Sequence, residues 1–172
     1  MYDDLHWWVN LLPQANGIRF FDDEARIVHY LYTDASGGGM GGFHYTGGSS
    51  SWKENIHCIL VKNSYAIPYV TDQILDINIF EVEAVRIALQ KWGPCWEHQR
   101  LVIFTNNSAT HRGILKGTLD SPANKNLRAL LLHAAQLDIV VDPRHIPGSE
   151  NELADALSRF DHKTIADWCP HW

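Results

Sequence analysis

The sequence predicts an α/β layer fold, a mixed sheet with helices packed against it. Three observations predict it. Short apolar runs rich in β-branched and aromatic residues occupy the early part of the chain, at 27–33, 56–61 and 65–70. From residue 79 the apolar spacing changes from continuous runs to threes and fours, the helical period. Beyond residue 100 strand-like and helix-like segments alternate to the end, a pattern that layers helices on a sheet. With 172 residues, 45% of them hydrophobic, the chain is long enough for one domain with a substantial core.

The elements follow in order. Asp3 and Asp4 precede Leu5, Trp8 and Leu12 at helical spacing, and Pro13 with Asn16-Gly17 ends that stripe, so a short helix is expected first. IVHYLYT (27–33) reads as a buried strand that ends at Asp34, and the Gly/Ser-rich stretch 36–51 reads as turns. Residues 56–61 and 65–70 complete an antiparallel meander, the last at an edge because of Pro68. Phe80, Ala84, Ile87, Ala88 and Trp92 share a helix face, Glu81 falls in its first turn, and Gly93-Pro94 ends it. LVIFT (101–105) is another buried strand and LRALLLHAAQL (127–137) a helix. A short strand at 139–141 leads to the loop RHIPGSEN, and Asn151 is expected to cap the helix ELADALSR.

The formal net charge of −6 argues weakly against a nucleic-acid partner, but its distribution is uneven. Residues 100–128 hold Arg100, Arg112, Lys116, Lys125 and Arg128 against Asp120 alone, either a solvated face or a phosphate-binding stretch. Cys58, Cys95 and Cys169 are too few and too scattered for a disulfide framework or a zinc site, which fits a reducing compartment. The start, MYDDLHWWVN, carries acids where a secretory signal carries bases, and no apolar run nears the ~18 residues of a membrane span. The expectation is an intracellular chain with no membrane partner. Trp7, Trp8, Trp92 and Trp96 are read as core packing rather than base stacking, His57 and Cys58 as buried strand residues, and the tail DWCPHW as a segment docked on the core.

Three acids fall at similar places: Asp34 at a strand end, Glu81 at a helix start and Asp155 in a helix entered through a loop. Crowded carboxylates repel and raise one another's pKa, so a converging set persists when cations neutralise it or a proton is shared. Hard oxygen donors select Mg2+ or Mn2+ over zinc. Helix caps would place acids at the same positions, so spacing alone leaves both readings open.

YTDASGGGMGG, INIFEVEA, FTNNSA and RHIPGSENELADALSR, in that order, resemble the ribonuclease H domain of retrotransposon reverse transcriptases of the LTR and tyrosine-recombinase types, over residues 28–160. The resemblance implies a five-stranded mixed sheet, three antiparallel strands and then parallel ones, flanked by helices. It divides the chain into a leader joined to an upstream polymerase region (1–26), a ribonuclease H-like domain (27–160) and a tail (161–172). It implies an endonuclease for the RNA strand of RNA/DNA hybrids, using two Mg2+ ions, with Mn2+ as a substitute. Asp34 matches the first metal ligand, Glu81 the second in preference to Glu83, and Asp155 the last. His145 matches a mobile loop histidine that assists proton transfer or product departure.

Where the family's third acid stands, this chain has Asn106, and no acid lies between Glu97 and Asp120 to replace it. An amide oxygen still coordinates Mg2+ but brings no charge, and its NH2 group faces a cation unfavourably. The resemblance therefore implies an impaired enzyme, through an engineered or a natural exchange, or a binding module that no longer cleaves. For the substrate, Ser36, Gly37, Gly38 and Asn107 are candidates for contact with the RNA backbone, the glycines being equally suited to a tight turn. Arg112, with Lys116, Lys125 and Arg128, is a candidate for the DNA-strand phosphates.

Overall fold

The computed structural model describes residues 5, 6, 9, 10, 26–48, 56–62 and 77–170. Five strands form one sheet in the order β3-β2-β1-β4-β5. β1 (Val28–Ala35), β2 (Gly39–Thr46) and β3 (His57–Lys62) are antiparallel neighbours, and β4 (Arg100–Thr105) and β5 (Val140–His145) run parallel to β1. The mixed sheet expected of the sequence is the one observed. Among the described residues the helices are α1 (Ile77–Trp92), α2 (Ser108–Lys116), α3 (Asn124–Gln136), α4 (Glu152–Arg159) and α5 (His162–Trp168).

Alternation along the strands gives two main cores on opposite faces, with a smaller cluster of Ala35, Met40, Phe80 and Ala84 at the end of β1. Leu31, Leu101 and Ile103 point to one face, where α1 contributes Val82, Val85 and Leu89 and α3 contributes Leu127 and Leu130, all essentially inaccessible to solvent. Trp92 and Trp96 belong to this core, as the tryptophan reading expected. On the other face Phe43 packs with Leu153, Ala154, Ala156 and Leu157 of α4 and with Ile165 of α5, and Trp168 and Cys169 of the DWCPHW tail pack against the same cluster. Tyr32 stacks between Phe43 and Phe104 at ring separations of 4.7 and 4.4 Å, extending that layer across β1 and β4.

Several expectations are corrected. Of the stretch read as turns, 37–38 and 47–48 do bend or turn, but 39–46 is the second strand, and its glycines let α4 lie closer to β2 than side chains would allow. A Cβ on Gly41 would sit 2.4 Å from the Ser158 nitrogen and 2.7 Å from the Ala154 oxygen. Glycine marks close backbone approach here, not a break in the strand. β5 continues through Pro143 to His145, where a loop was expected; at a sheet edge the missing proline N–H leaves no ladder bond unmade. α1 begins two residues earlier than residue 79, which puts Glu81 in its second turn. The sequence reading missed α2, although Asn107 accepts a bond from the Thr110 N–H at its start and Gly117, at φ +70°, ends it. His57 is exposed rather than buried, its ring 4.9 Å from His44. The expected strand 65–70, together with Trp7, Trp8 and most of the leader helix, lies outside the described residues; Leu5, His6, Val9 and Asn10 are helical and exposed.

Candidate active site

The site lies at the carboxyl ends of the two central parallel strands. Tyr32 of β1 pairs with Phe104 of β4, and Asp34 and Asn106 each follow two residues later. Such strand ends are where open α/β sheets gather ligands. Asp34 is the hub, buried at 3% exposure. Its Oδ2 accepts a 2.7 Å bond from the Ser158 hydroxyl of α4. Burial pushes its carboxyl above the usual range and the charge of Asp155 adds to that, while hydrogen bonding from Ser158 and Asn106 draws it back.

Glu81 reaches the same place from α1, 5% exposed. Burial, with the charge of Asp34 beside it, pushes its carboxyl up to about 8, and the Ala35 backbone amide pulls the other way. Its Oε2 is buried and has no hydrogen-bond partner among the described residues. Glu83, the competing helix acid, faces elsewhere: it pairs with Arg86 and accepts a 2.9 Å bond from Asn126 of α3. Two residues along a helix turn the side chain well away, so one glutamate serves the site and the other the helix-helix seam.

Asn106 contributes an amide whose Oδ1 is buried and unpartnered. Asp155 sits half-exposed on α4, its Oδ1 accepting a 2.7 Å bond from Arg159. Three of the side chains proposed from sequence, Glu81, Asn106 and Asp155, thus lie around the fourth, Asp34. They do not form a ready cluster of charge, since among the described residues no three His, Cys, Asp or Glu side chains assemble a metal-binding group. The amide at 106 and the turn of Asp155 towards Arg159 account for that. The donors nevertheless suit a hard divalent cation: all are oxygens, and two of them, on Glu81 and Asn106, are buried without a partner.

The remaining candidates divide. His145 is exposed at the end of β5, its Nε2 donating to the Asn106 carbonyl oxygen at 3.2 Å and its ring 6.0 Å from His111. It therefore occupies a strand end rather than a mobile loop. Ser36 is 9% exposed and its hydroxyl is used internally, donating to the Ser158 oxygen at 2.7 Å and accepting from the N–H groups of Gly38 and Gly39. Asn107 caps α2 and donates to Asn78 at 3.1 Å, a structural task. Gly37 and Gly38 have no positive φ, so no turn requires them; a Cβ at 37 would meet open space and one at 38 only an ordinary contact. Arg112 lies on the exposed face of α2, its Nε donating to the Ser108 oxygen. Asn151 holds the N-cap position of α4 without capping it, and instead donates to the Thr33 oxygen of β1 at 2.9 Å.

The sequence reading missed Ser158 and Gly41 as parts of the site. The signal for both was present in the sequence only as small residues in the motifs LSR and MGG.

The N-terminal ribonuclease H domain of a Mycobacterium tuberculosis protein, solved as a fusion with maltose-binding protein, superposes with a TM-score of 0.55 over 78% of this chain and 96% of that one, at 11% identity. The fold is that of ribonuclease H. A ribonuclease H1 isolated from compost by a metagenomic approach superposes with a TM-score of 0.51 over 78% of this chain and 93% of its own, at 17% identity. The same compost enzyme in complex with an RNA/DNA hybrid gives 0.50, over 77% and 93%, at 19% identity. No family model and no curated protein matches the sequence. Within this ribonuclease H fold Asp34 lies at the carboxyl edge of β1 and β4, with Gly37 exposed and Asp155 half-exposed.

Proposed function

We propose that this chain is the nuclease part of a retroelement reverse transcriptase, working inside the cell to hydrolyse the RNA strand of RNA/DNA hybrids. Asp34, Glu81, Asn106 and Asp155 are its ligands for two divalent cations, Mg2+ or Mn2+. The observation that carries this reading is the pair of buried acids Asp34, at the end of β1, and Glu81, reaching it from α1, with Glu81 Oε2 lacking a hydrogen-bond partner among the described residues. Two such groups ionise together at neutral pH only when positive charge is supplied. The hybrid bound by the compost enzyme of the same fold supports the substrate class.

Bound cations would lower the pKa of an attacking water and stabilise the departing oxygen. The protein's own contribution is placement. Asp34 holds its carboxylate against α4 through Ser158, and Glu81 brings a second acid shielded from water. Asn106 brings an oxygen but no charge, so binding at its side is weaker. Asp155 must exchange Arg159 for a cation, an inexpensive step at a half-exposed position. The open space beside Gly37 admits a sugar-phosphate backbone, and His145, exposed beside Asn106, faces where substrate would lie. Arg112 and the lysines beyond it on α2 and α3 are proposed to follow the DNA-strand phosphates, with the upstream polymerase region adding affinity.

A second reading, a hybrid-binding module that does not cleave, is favoured by the same Asn106 and by the occupation of Asp155 by Arg159. Cleavage of a labelled RNA/DNA hybrid in Mg2+ and in Mn2+ separates the two. Asn106→Asp is expected to raise cleavage by at least about 100-fold, since even outer-shell partners of a metal are worth ~10–100-fold. A folded Asn106→Asp protein that leaves the hybrid intact in both metals would sink the nuclease reading.

A further inference from the structure

Ser158 stands at a junction that neither the proposed ligands nor the substrate contacts explain. It is fully buried on α4, yet its hydroxyl points out of its own helix and donates to Asp34 Oδ2 at 2.7 Å. A helical serine has a local alternative, the carbonyl oxygen three or four residues back. Here that acceptor is the Asp155 oxygen, at 2.9 Å, slightly farther than the carboxylate. One hydroxyl proton therefore faces two acceptors, and one of them is the central acid of the site.

The placement is reinforced from both sides. The Ser158 carbonyl oxygen accepts a 2.7 Å bond from the Ser36 hydroxyl, which is itself fixed by the N–H groups of Gly38 and Gly39 in the turn that follows Asp34. Gly41, opposite Asp34 in the β1-β2 register, admits the α4 backbone so closely that any side chain there would strike Ser158. Turn, strand and helix thus converge on one hydroxyl-carboxylate contact.

We propose that Ser158 is a positioning residue that orients the Asp34 carboxylate, holding Oδ2 and thereby fixing the direction of the other oxygen. This rests on the reading of the pocket as a cation site. Charge-assisted bonds of this kind are short and directional, so they fix the rotation of the carboxylate as well as its charge. The nearby Asp155 oxygen gives the proton somewhere to go when a cation competes for Oδ2, so the bond guides the carboxylate without locking it against a ligand.

The test is Mn2+ binding by isothermal titration calorimetry to the whole chain and to its Ser158→Ala and Ser158→Thr forms, with melting temperature and RNA/DNA hybrid affinity measured in EDTA. Ser158→Ala is expected to weaken Mn2+ binding ~10–100-fold, the usual cost of an outer-shell partner, while hybrid affinity in EDTA stays within a factor of two or so of the parent. Ser158→Thr, which keeps the hydroxyl, is expected to recover most of the lost affinity. Parent-like Mn2+ binding by Ser158→Ala overturns the positioning role and leaves the cation site standing. Loss of Mn2+ and metal-free hybrid binding together in Ser158→Ala overturns it as well, because that is the signature of a purely structural residue. If the unaltered chain and its Asn106→Asp form both fail to bind Mn2+, the cation site itself is wrong and this role goes with it.

Discussion

At the scale of single residues, buried titratable groups set how this protein responds to pH. Glu81 has a folded pKa near 8, well above the ordinary glutamate value of 4.5, because burial and the neighbouring Asp34 disfavour its charge. A folded state that holds the proton more tightly than the unfolded chain is favoured at low pH. The contribution is complete below about 4.5 and is lost as pH rises towards 8. Glu81→Gln, which imitates the protonated acid, is expected to raise the melting temperature of the metal-free protein at pH 8 and to flatten its decline between pH 5 and 8, as followed by calorimetry in EDTA. His44 works in the opposite direction. Burial between β2 and the tryptophans Trp92 and Trp96, together with the nearby His57, lowers its pKa from 6.5 to about 3. Its contribution is present above pH 6.5 and is lost as the pH falls towards 3, so His44→Gln is expected to soften acid unfolding in that window. Asn106 belongs at this scale too. Its amide adds no charge beside Asp34, and Asn106→Asp, which would add one, is expected to lose metal-free stability and, under the proposed function, to gain cleavage.

At the scale of elements, the fit of α4 against β2 holds the site together. The helix brings Asp155 and Ser158 to Asp34, and Gly41 lets it approach. Gly41→Ala would force a Cβ into the Ser158 and Ala154 backbone, which cannot yield as a flexible side chain would. Overpacking of this kind costs about 1–3 kcal/mol, and by displacing α4 it is expected to weaken cation binding as well as lower the melting temperature. An unchanged melting temperature together with unchanged Mn2+ affinity would show that the close approach does not govern the site. Asn151 ties the same helix to β1 through the Thr33 oxygen, so α4 is fixed at both ends to the strand that carries Asp34. These contacts join residues more than a hundred positions apart in the chain. No local pattern around residue 41 or residue 158 announces them, which is why the glycine run read as turns and Ser158 passed without a role.

At the scale of the whole molecule, charge is segregated in a way that fits a polyanionic partner despite the net charge of −6. Lys116 ends α2 and Lys125 opens α3, both exposed, with Lys125 and Arg128 lining a shallow groove beside Leu132. If these groups follow phosphates, Lys125→Ala is expected to weaken hybrid binding uniformly across sequences and to reduce the slope of log affinity against log salt by about 1. An unaltered slope would return the stretch to an ordinary solvated face. Among the described residues no helix is long and apolar enough to cross a membrane. The two larger cores, one under α1 and α3 and the other under α4 and α5, pack on opposite faces of the sheet, and a smaller cluster of Ala35, Met40, Phe80 and Ala84 lies next to the carboxyl end of β1.

The amino-acid sequence by itself determined the layer architecture, because periodicity of two or of three to four is a local property written in neighbouring residues. Through the motifs TDAS, FEVEA, TNNS and ADALSR, and the resemblance they carry, it also singled out four side chains, one of them an amide, that the fold brings to one strand end. The tertiary structure alone decided that Asp155 meets Arg159, that His145 ends a strand, and that Gly41 and Ser158 bring α4 against Asp34. The physical reason is distance along the chain. Hydrophobic pattern is fixed by adjacent residues, whereas hydrogen bonds and steric fit between β1, β2 and α4 exist only once segments far apart in sequence are packed against each other.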